Sequence, residues 1–253
     1  MARATKARAT KTSGRTAVSV TASDPESVSK LWRYGDAWER YPIRAGETWR
    51  AGTGLVAAHD LRYPLPDFLK TADCLFIDPP WNIGNLKTFY TKAANPDYPA
   101  DFLHFADQLF ARVREIAPRS CYIEIGNQHV TEFRMRLYDA GYGYIHGWPV
   151  TYYGKHPCWL LKGARTPHTG RDFEGVDEAR CIELIAQEEE YSVIGDLCMG
   201  RGLVGYHAYR AGRQFVGSEL NPRRLAVLLA QVAQAGGTVE RVSRDSSSGN
   251  QTS

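Results

Sequence analysis

No apolar run in the 253-residue chain approaches the roughly 20 residues of a membrane-spanning helix, and the N-terminus lacks the apolar centre of a secretory signal. Cysteine is sparse: Cys74, Cys121, Cys158, Cys181 and Cys198 are odd in number, widely spaced and without a CxxC pair. That pattern excludes a disulfide framework and a cysteine zinc site, and leaves buried thiols in a reducing compartment. Strong charge of either sign is also missing. The excess of 31 Lys+Arg over 28 Asp+Glu permits a polyanionic partner without demanding one. His59, His129 and His207 have no partner spacing, so no metal site is expected. The chain therefore reads as a soluble, cytoplasmic protein without a membrane partner, large enough for one good-sized domain.

What is present divides into three parts. Residues 1–28 are rich in Ala, Thr, Ser and basic residues (Arg3, Lys6, Arg8, Lys11, Arg15) and show no apolar period, so they read as a disordered basic tail. Such a tail either adds phosphate contacts to nucleic acid or serves only solubility. Residues 29–240 read as the folded domain, and 241–253 as a second disordered tail.

Within the domain, strand and helix patterns alternate. "TGLVAAHD", "CLFIDPP" and "CYIEIG" are strands. Between the last two, Phe102, Ala106, Leu109, Phe110, Val113 and Ile116 share one helical face, with Pro118 beyond its end. A helix around Phe133 and Leu137 stops at Gly141. "YIHGWPV" and "CWLLKG" follow with little between them and form an antiparallel pair. After a helix near Ile182–Ile185, "YSVIGDLCMGRGLVGYHAYRAGRQFVGSELNP" reads as strand, Gly-rich turn, helix capped by Gly212, and strand ending at Glu219. The next helix takes Asn221 as N-cap and Pro222 as its first residue. This alternation implies an α/β fold with a doubly wound, mostly parallel sheet.

Two strand ends carry chemistry. In "CLFIDPPWNIGN", Pro79 and Pro80 cannot donate to a sheet ladder, so the strand stops at Asp78 and a stiff turn projects Trp81. In "DLCMGRG", glycines let backbone approach a ligand, and Glu219, about twenty residues on, is placed to hold ribose hydroxyls. The duller readings are a turn-capping acid, a half-buried core tryptophan and a packing glycine turn. Asn82 and Asn85 are either contacts to a target nucleotide or ordinary turn residues.

"FIDPPWNIGNLKTFY" resembles catalytic motif IV of the DNA amino-methyltransferases, especially N6-adenine enzymes and the modification subunits of type III restriction systems. "VIGDLCMGRGLVGYHAYRAGRQFVGSELNP" is similar to the same family's motif I. The DPPW block comes first, as in the permuted β-class. The resemblance spans residues 50–235 and implies a class I, Rossmann-like methyltransferase fold, with one antiparallel strand in the sheet. It also implies S-adenosyl-L-methionine as methyl donor, DNA as partner, and adenine N6 as target, reached by base flipping. Asp78 and the Pro79 carbonyl would accept the amine hydrogens, Pro80 would stiffen the turn, and Trp81 would stack on the flipped base. Asp196, Gly200 and Gly202 would line the donor's methionine end, with Glu219 at its ribose and Asp60 near its adenine; Cys198 and Asn221 would also belong to the donor site.

The chain departs from the family pattern at several points. Leu197-Cys198 replaces Pro-Phe, Leu203 replaces Thr, and the upstream Lys-Pro is missing. Arg201 replaces Ser and either meets a carboxylate of the donor or points outward. Only residues 150–175 could hold a target-recognition region. N4-cytosine methylation, RNA adenine methylation, a non-catalytic nucleic-acid-binding subunit and a dimeric state stay open as alternatives.

Overall fold

The computed structural model describes residues 33–167 and 170–242, all belonging to one compact unit that begins at Arg33. The basic tail expected over 1–28 lies outside the described residues. Nine strands form one sheet in the order β5-β6-β4-β3-β7-β8-β2-β1-β9. They are β1 (Thr48–Ala51), β2 (Gly54–Ala58), β3 (Cys74–Ile77), β4 (Ser120–Gly126), β5 (Tyr144–Tyr152), β6 (His156–Ala164), β7 (Val193–Asp196), β8 (Gln214–Glu219) and β9 (Val239–Val242). The helices are α1 (Ala37–Arg40), α2 (Ile83–Lys92), α3 (Phe102–Ile116), α4 (Val130–Asp139), α5 (Glu178–Glu188), α6 (Leu203–Arg210) and α7 (Pro222–Gln234).

The five central strands, β4, β3, β7, β8 and β2, are parallel. β6 is the expected antiparallel strand, paired with both β4 and β5. A second one was not foreseen. β1 also runs against the rest, because the Gly52-Thr53 turn folds it back on β2 as a hairpin, Gly52 taking φ +58°. β9 then pairs antiparallel with β1 and carries the fold to Val242, two residues past the expected boundary at 240.

The interior explains this order. β3 and β4 are buried on both faces, which is why they read as continuous apolar runs. Alternation sends Leu75, Ile77, Cys121, Ile123 and Ile125 into a cluster with Leu109, Phe110 and Phe133 of α3 and α4. Phe76, Tyr122 and Glu124 face the other side of the sheet, where α5, α6 and α7 pack in succession. The helical face read from Phe102 to Ile116 is buried throughout. Asp101 caps α3 by accepting from the backbone N–H groups of Leu103 and His104, and Ala117 ends it in a left-handed turn before Pro118. All five cysteines are free thiols. Among the described residues no helix is long and apolar enough to cross a membrane.

Candidate active site

β3 and β7 are neighbours in the sheet, with Leu75 paired to Gly195, yet their onward connections diverge. From β3 the chain moves to β4 on one side; from β7 it moves to β8 on the other. The C-terminal ends of two such strands bound a crevice that helices on either face cannot close. Asp78 follows one strand and Asp196 ends the other, so the two stretches singled out in the sequence, over a hundred residues apart, meet there.

Asp78 sits in an unusual electrostatic setting. Burial pushes its carboxyl up to about 6, opposed by a hydrogen bond from Trp81 and by the charge of Arg224, and reinforced by Glu219. The Trp81 indole Nε1–H donates to Asp78 Oδ1 at 3.1 Å. No other hydrogen bond to this carboxylate occurs among the described residues, so Oδ2 remains an available acceptor. Trp81 packs on the backbone of Gly126, where an added Cβ would come within 3.0 Å of the ring. Its ring also meets Tyr152 edge-on at 5.2 Å between centroids. Pro79 and Pro80 are buried beneath this arrangement.

Asn82 caps α2, its Oδ1 accepting the Asn85 N–H at 3.0 Å, and the Asn85 side chain is exposed. These positions thus fix the helix that leaves the DPPW turn.

The Gly-rich turn is bolted down by its own backbone. The N–H of Cys198 donates to Asp196 Oδ1 at 2.9 Å, that of Met199 to the Ser218 carbonyl at 3.0 Å, and that of Gly200 to Glu219 Oε2 at 2.6 Å. Gly202 N–H donates to the Met199 carbonyl at 2.7 Å. Glu219 Oε1 accepts from the Asn221 N–H, and Asn221 reaches across to the Lys92 carbonyl through Nδ2 while capping α7. The turn's donors are therefore directed largely into the protein. Gly200 (φ +55°) faces Arg224, whereas a Cβ on Gly202 (φ +85°) would strike Leu228 at 2.5 Å. The first glycine makes room for the Arg224 guanidinium. The second lets α6 and α7 pack.

Asp60 is heavily engaged. Its two oxygens accept from the Arg62 guanidinium, the Tyr90 hydroxyl and the Asn95 amide, the closest contact being Arg62 Nη2 at 2.7 Å. It organises the segment around α2 and has little acceptor capacity left over.

Sequence reasoning missed four contributors: Glu124, Tyr152, Glu178 and Arg224. Burial and neighbouring carboxylates push Glu124 up to about 11 and Glu178 up to about 9 and hold Asp196 well above the usual carboxylate range, while burial alone raises Glu219 against the charge of Arg224. Nothing in the order of residues around Glu124 in "CYIEIG" distinguishes it from a solvent-facing strand position. Only the packing of α5 over that face buries it. Arg224 had a sequence signal, since it lies three residues after the N-cap Asn221, in the first turn of α7 and thus near the strand ends.

No known family model matches the sequence, and no curated protein matches it. Solved structures do resemble the fold. A presumptive DNA modification methylase of Thermus thermophilus superposes with TM-score 0.51 at 15% identity, over 71% of this chain and 94% of that one. The same Thermus protein complexed with S-adenosyl-L-methionine gives 0.51 at 14% identity, over 71% and 93% of the two chains. PvuII DNA methyltransferase, cytosine-N4-specific, overlaps at 0.47 and 14% identity, over 74% and 90%, too weakly to carry an argument. The fold is of the class I methyltransferase type. At these identities the likeness is one of fold, and the chemistry rests on the residues.

Proposed function

We propose that the chain is an S-adenosylmethionine-dependent methyltransferase that methylates adenine N6 in DNA. The observation that carries this reading is the pairing of β3 with β7, which sets an amine-accepting carboxylate, Asp78, beside the glycine turn that follows Asp196. The crevice also fits the donor's charge. S-adenosylmethionine carries a sulfonium and an ammonium against a single carboxylate, and Asp78, Asp196 and Glu219 outnumber the nearby Arg224. Gly200, lacking a side chain, lets the Arg224 guanidinium lie against the turn beside these acids.

When bound, the donor supplies an electrophilic methyl group on sulfur. The residues of this chain do the rest. Asp78 Oδ2 accepts one hydrogen of the exocyclic amine and the Pro79 carbonyl accepts the other. Together they hold the nitrogen lone pair out of conjugation and aim it at the crevice. A carboxyl near 6 is ionised at neutral pH yet basic enough to hold the proton that the amine releases. Trp81, fixed by Asp78 and Gly126, offers its ring to a base taken out of the duplex stack. Glu219 retains lone pairs for ribose hydroxyls beyond its two backbone bonds, with Asn221 beside it, while Asp196 and Cys198 line the methionine end. Asn82 and Asn85 stand where the target nucleotide's backbone would pass.

The test is direct. The protein is incubated with methyl-labelled S-adenosylmethionine and mixed-sequence DNA or RNA, and the nucleic acid is digested to nucleosides. Label in N6-methyldeoxyadenosine supports the reading. Label in N4-methyldeoxycytidine or in N6-methyladenosine of RNA replaces the substrate and keeps the chemistry. No label, with the donor bound, indicates a non-catalytic subunit.

A further inference from the structure

The Arg224 guanidinium is the feature of the crevice that the proposed chemistry leaves unused. It reaches back from the first turn of α7 and lies against the glycine turn: a Cβ added to Gly200 would come within 2.8 Å of Arg224 Nη2. Its far side covers the Phe89 ring at 5.0 Å. Glu219, Tyr34, Asp78 and Tyr152 surround it electrostatically, so it stays charged although much of it is removed from water. Among the described residues its side chain makes no hydrogen bond, so its five N–H donors have no protein acceptor. Half-buried and without a direct hydrogen bond to the protein, the guanidinium is free to take an anionic group in a charge-assisted pair.

The identity of that group follows from the surroundings. The N–H groups of Cys198, Met199, Gly200 and Gly202 are already spent on protein acceptors, so none of these four is left to bind an anion. The other charged walls are the carboxylates Asp78, Asp196 and Glu219, which repel one. Arg201, the other cation of the turn, is turned to Tyr34, with its guanidinium carbon 5.9 Å from the ring centroid. We infer that Arg224 holds the α-carboxylate of S-adenosylmethionine, and so fixes which way round the donor's methionine end lies in the crevice. The assignment rests on the proposed function. A planar guanidinium matches a carboxylate with two parallel hydrogen bonds, which a lysine would not reproduce. Orientation matters because the ammonium is then left to the acids, and the sulfonium to the side of Asp78.

Calorimetric titration of the full chain with S-adenosylmethionine and with its decarboxylated analogue, which keeps the sulfonium, ammonium and adenosine, tests this without turnover. The wild-type protein is expected to bind the decarboxylated compound at least about tenfold more weakly, the scale of a charge-assisted hydrogen bond. Arg224→Met should bind both compounds equally, at the weaker level, and Arg224→Lys should recover part of the preference. Arg201→Met should keep the wild-type preference. Equal affinity of the wild-type protein for the two compounds overturns the assignment and needs no variant. So does a folded Arg224→Met protein that still discriminates. Failure of the wild-type protein to bind either compound overturns the proposed function itself.

Discussion

The Trp81 indole donates its hydrogen to the carboxylate of Asp78, three residues earlier on the same turn. One oxygen of the acid is thereby oriented by protein, and the other accepts no hydrogen bond among the described residues. The aromatic ring and the acid are a single unit, so their substitutions should not behave as independent losses.

Asp78→Ala removes the preorganised acceptor while leaving the glycine turn in place. Turnover should fall by about a hundredfold or more, a far larger loss than any in donor affinity. Asp78→Asn should be milder, since its amide oxygen still accepts. Single-turnover rates alongside calorimetry of donor binding measure both, and wild-type turnover by a folded Asp78→Ala protein would retire the assignment.

A second expectation concerns pH. Asp78 must be ionised to accept, and burial places its carboxyl at about 6. Turnover should therefore rise with pH through that value and level off above it. The Trp81 hydrogen bond holds the carboxyl down, so Trp81→Phe, which keeps a ring and loses the donor, should move the acid limb toward neutrality. Trp81→Ala should in addition weaken capture of the base by about 1–3 kcal/mol. A pH–rate profile unmoved in Trp81→Phe would show that the bond is absent in solution.

Glu124 is 1% exposed and meets the Cys158 thiol at 3.6 Å, with burial and the charges of Asp78 and Glu178 pushing it up to about 11. It is thus a neutral acid in the folded protein at pH 7 but ionised when unfolded. The folded state binds the extra proton, so stability falls as pH rises above about 4.5 towards the folded value, by at most about 1.4 kcal/mol per unit. Glu124→Gln removes that linkage. Its unfolding free energy should vary less between pH 5 and 8 and exceed the wild-type value at the upper end. Parallel pH profiles for the two proteins in urea titrations would contradict this.

Gly202→Ala places a Cβ within 2.5 Å of Leu228 Cβ, in a backbone conformation that side chains resist. Destabilisation of about 1–3 kcal/mol is expected, from overpacking between α6 and α7. Calorimetric melting should show it, and donor affinity of the protein that remains folded should change far less than in Arg224→Met.

Much of this architecture is legible locally. Pro79 and Pro80 end a strand wherever they stand, because they lack an N–H; Asn221-Pro222 opens a helix for the same chemical reason read in reverse. The face from Phe102 to Ile116 needed only its spacing. β1 and β9 were not legible: short strands of mixed burial at one end of the sheet carry no period, and they exist because β2 and then β1 offer unpaired backbone.

For the site, the order of residues determined that an acid would stand at the end of β3, and that a glycine turn would follow an acid at the end of β7. Only the tertiary structure decided what those groups face. The N–H groups of "DLCMGRG" look free in the chain and are consumed by Asp196, Ser218, Glu219 and Met199 in the fold. Arg224 is placed by sequence only in the first turn after Asn221, and the docking of α7 turns it onto Gly200. Glu124 reads as a strand acid like any other until α5 covers it, and the loss of water there, which no sequence pattern records, keeps it protonated.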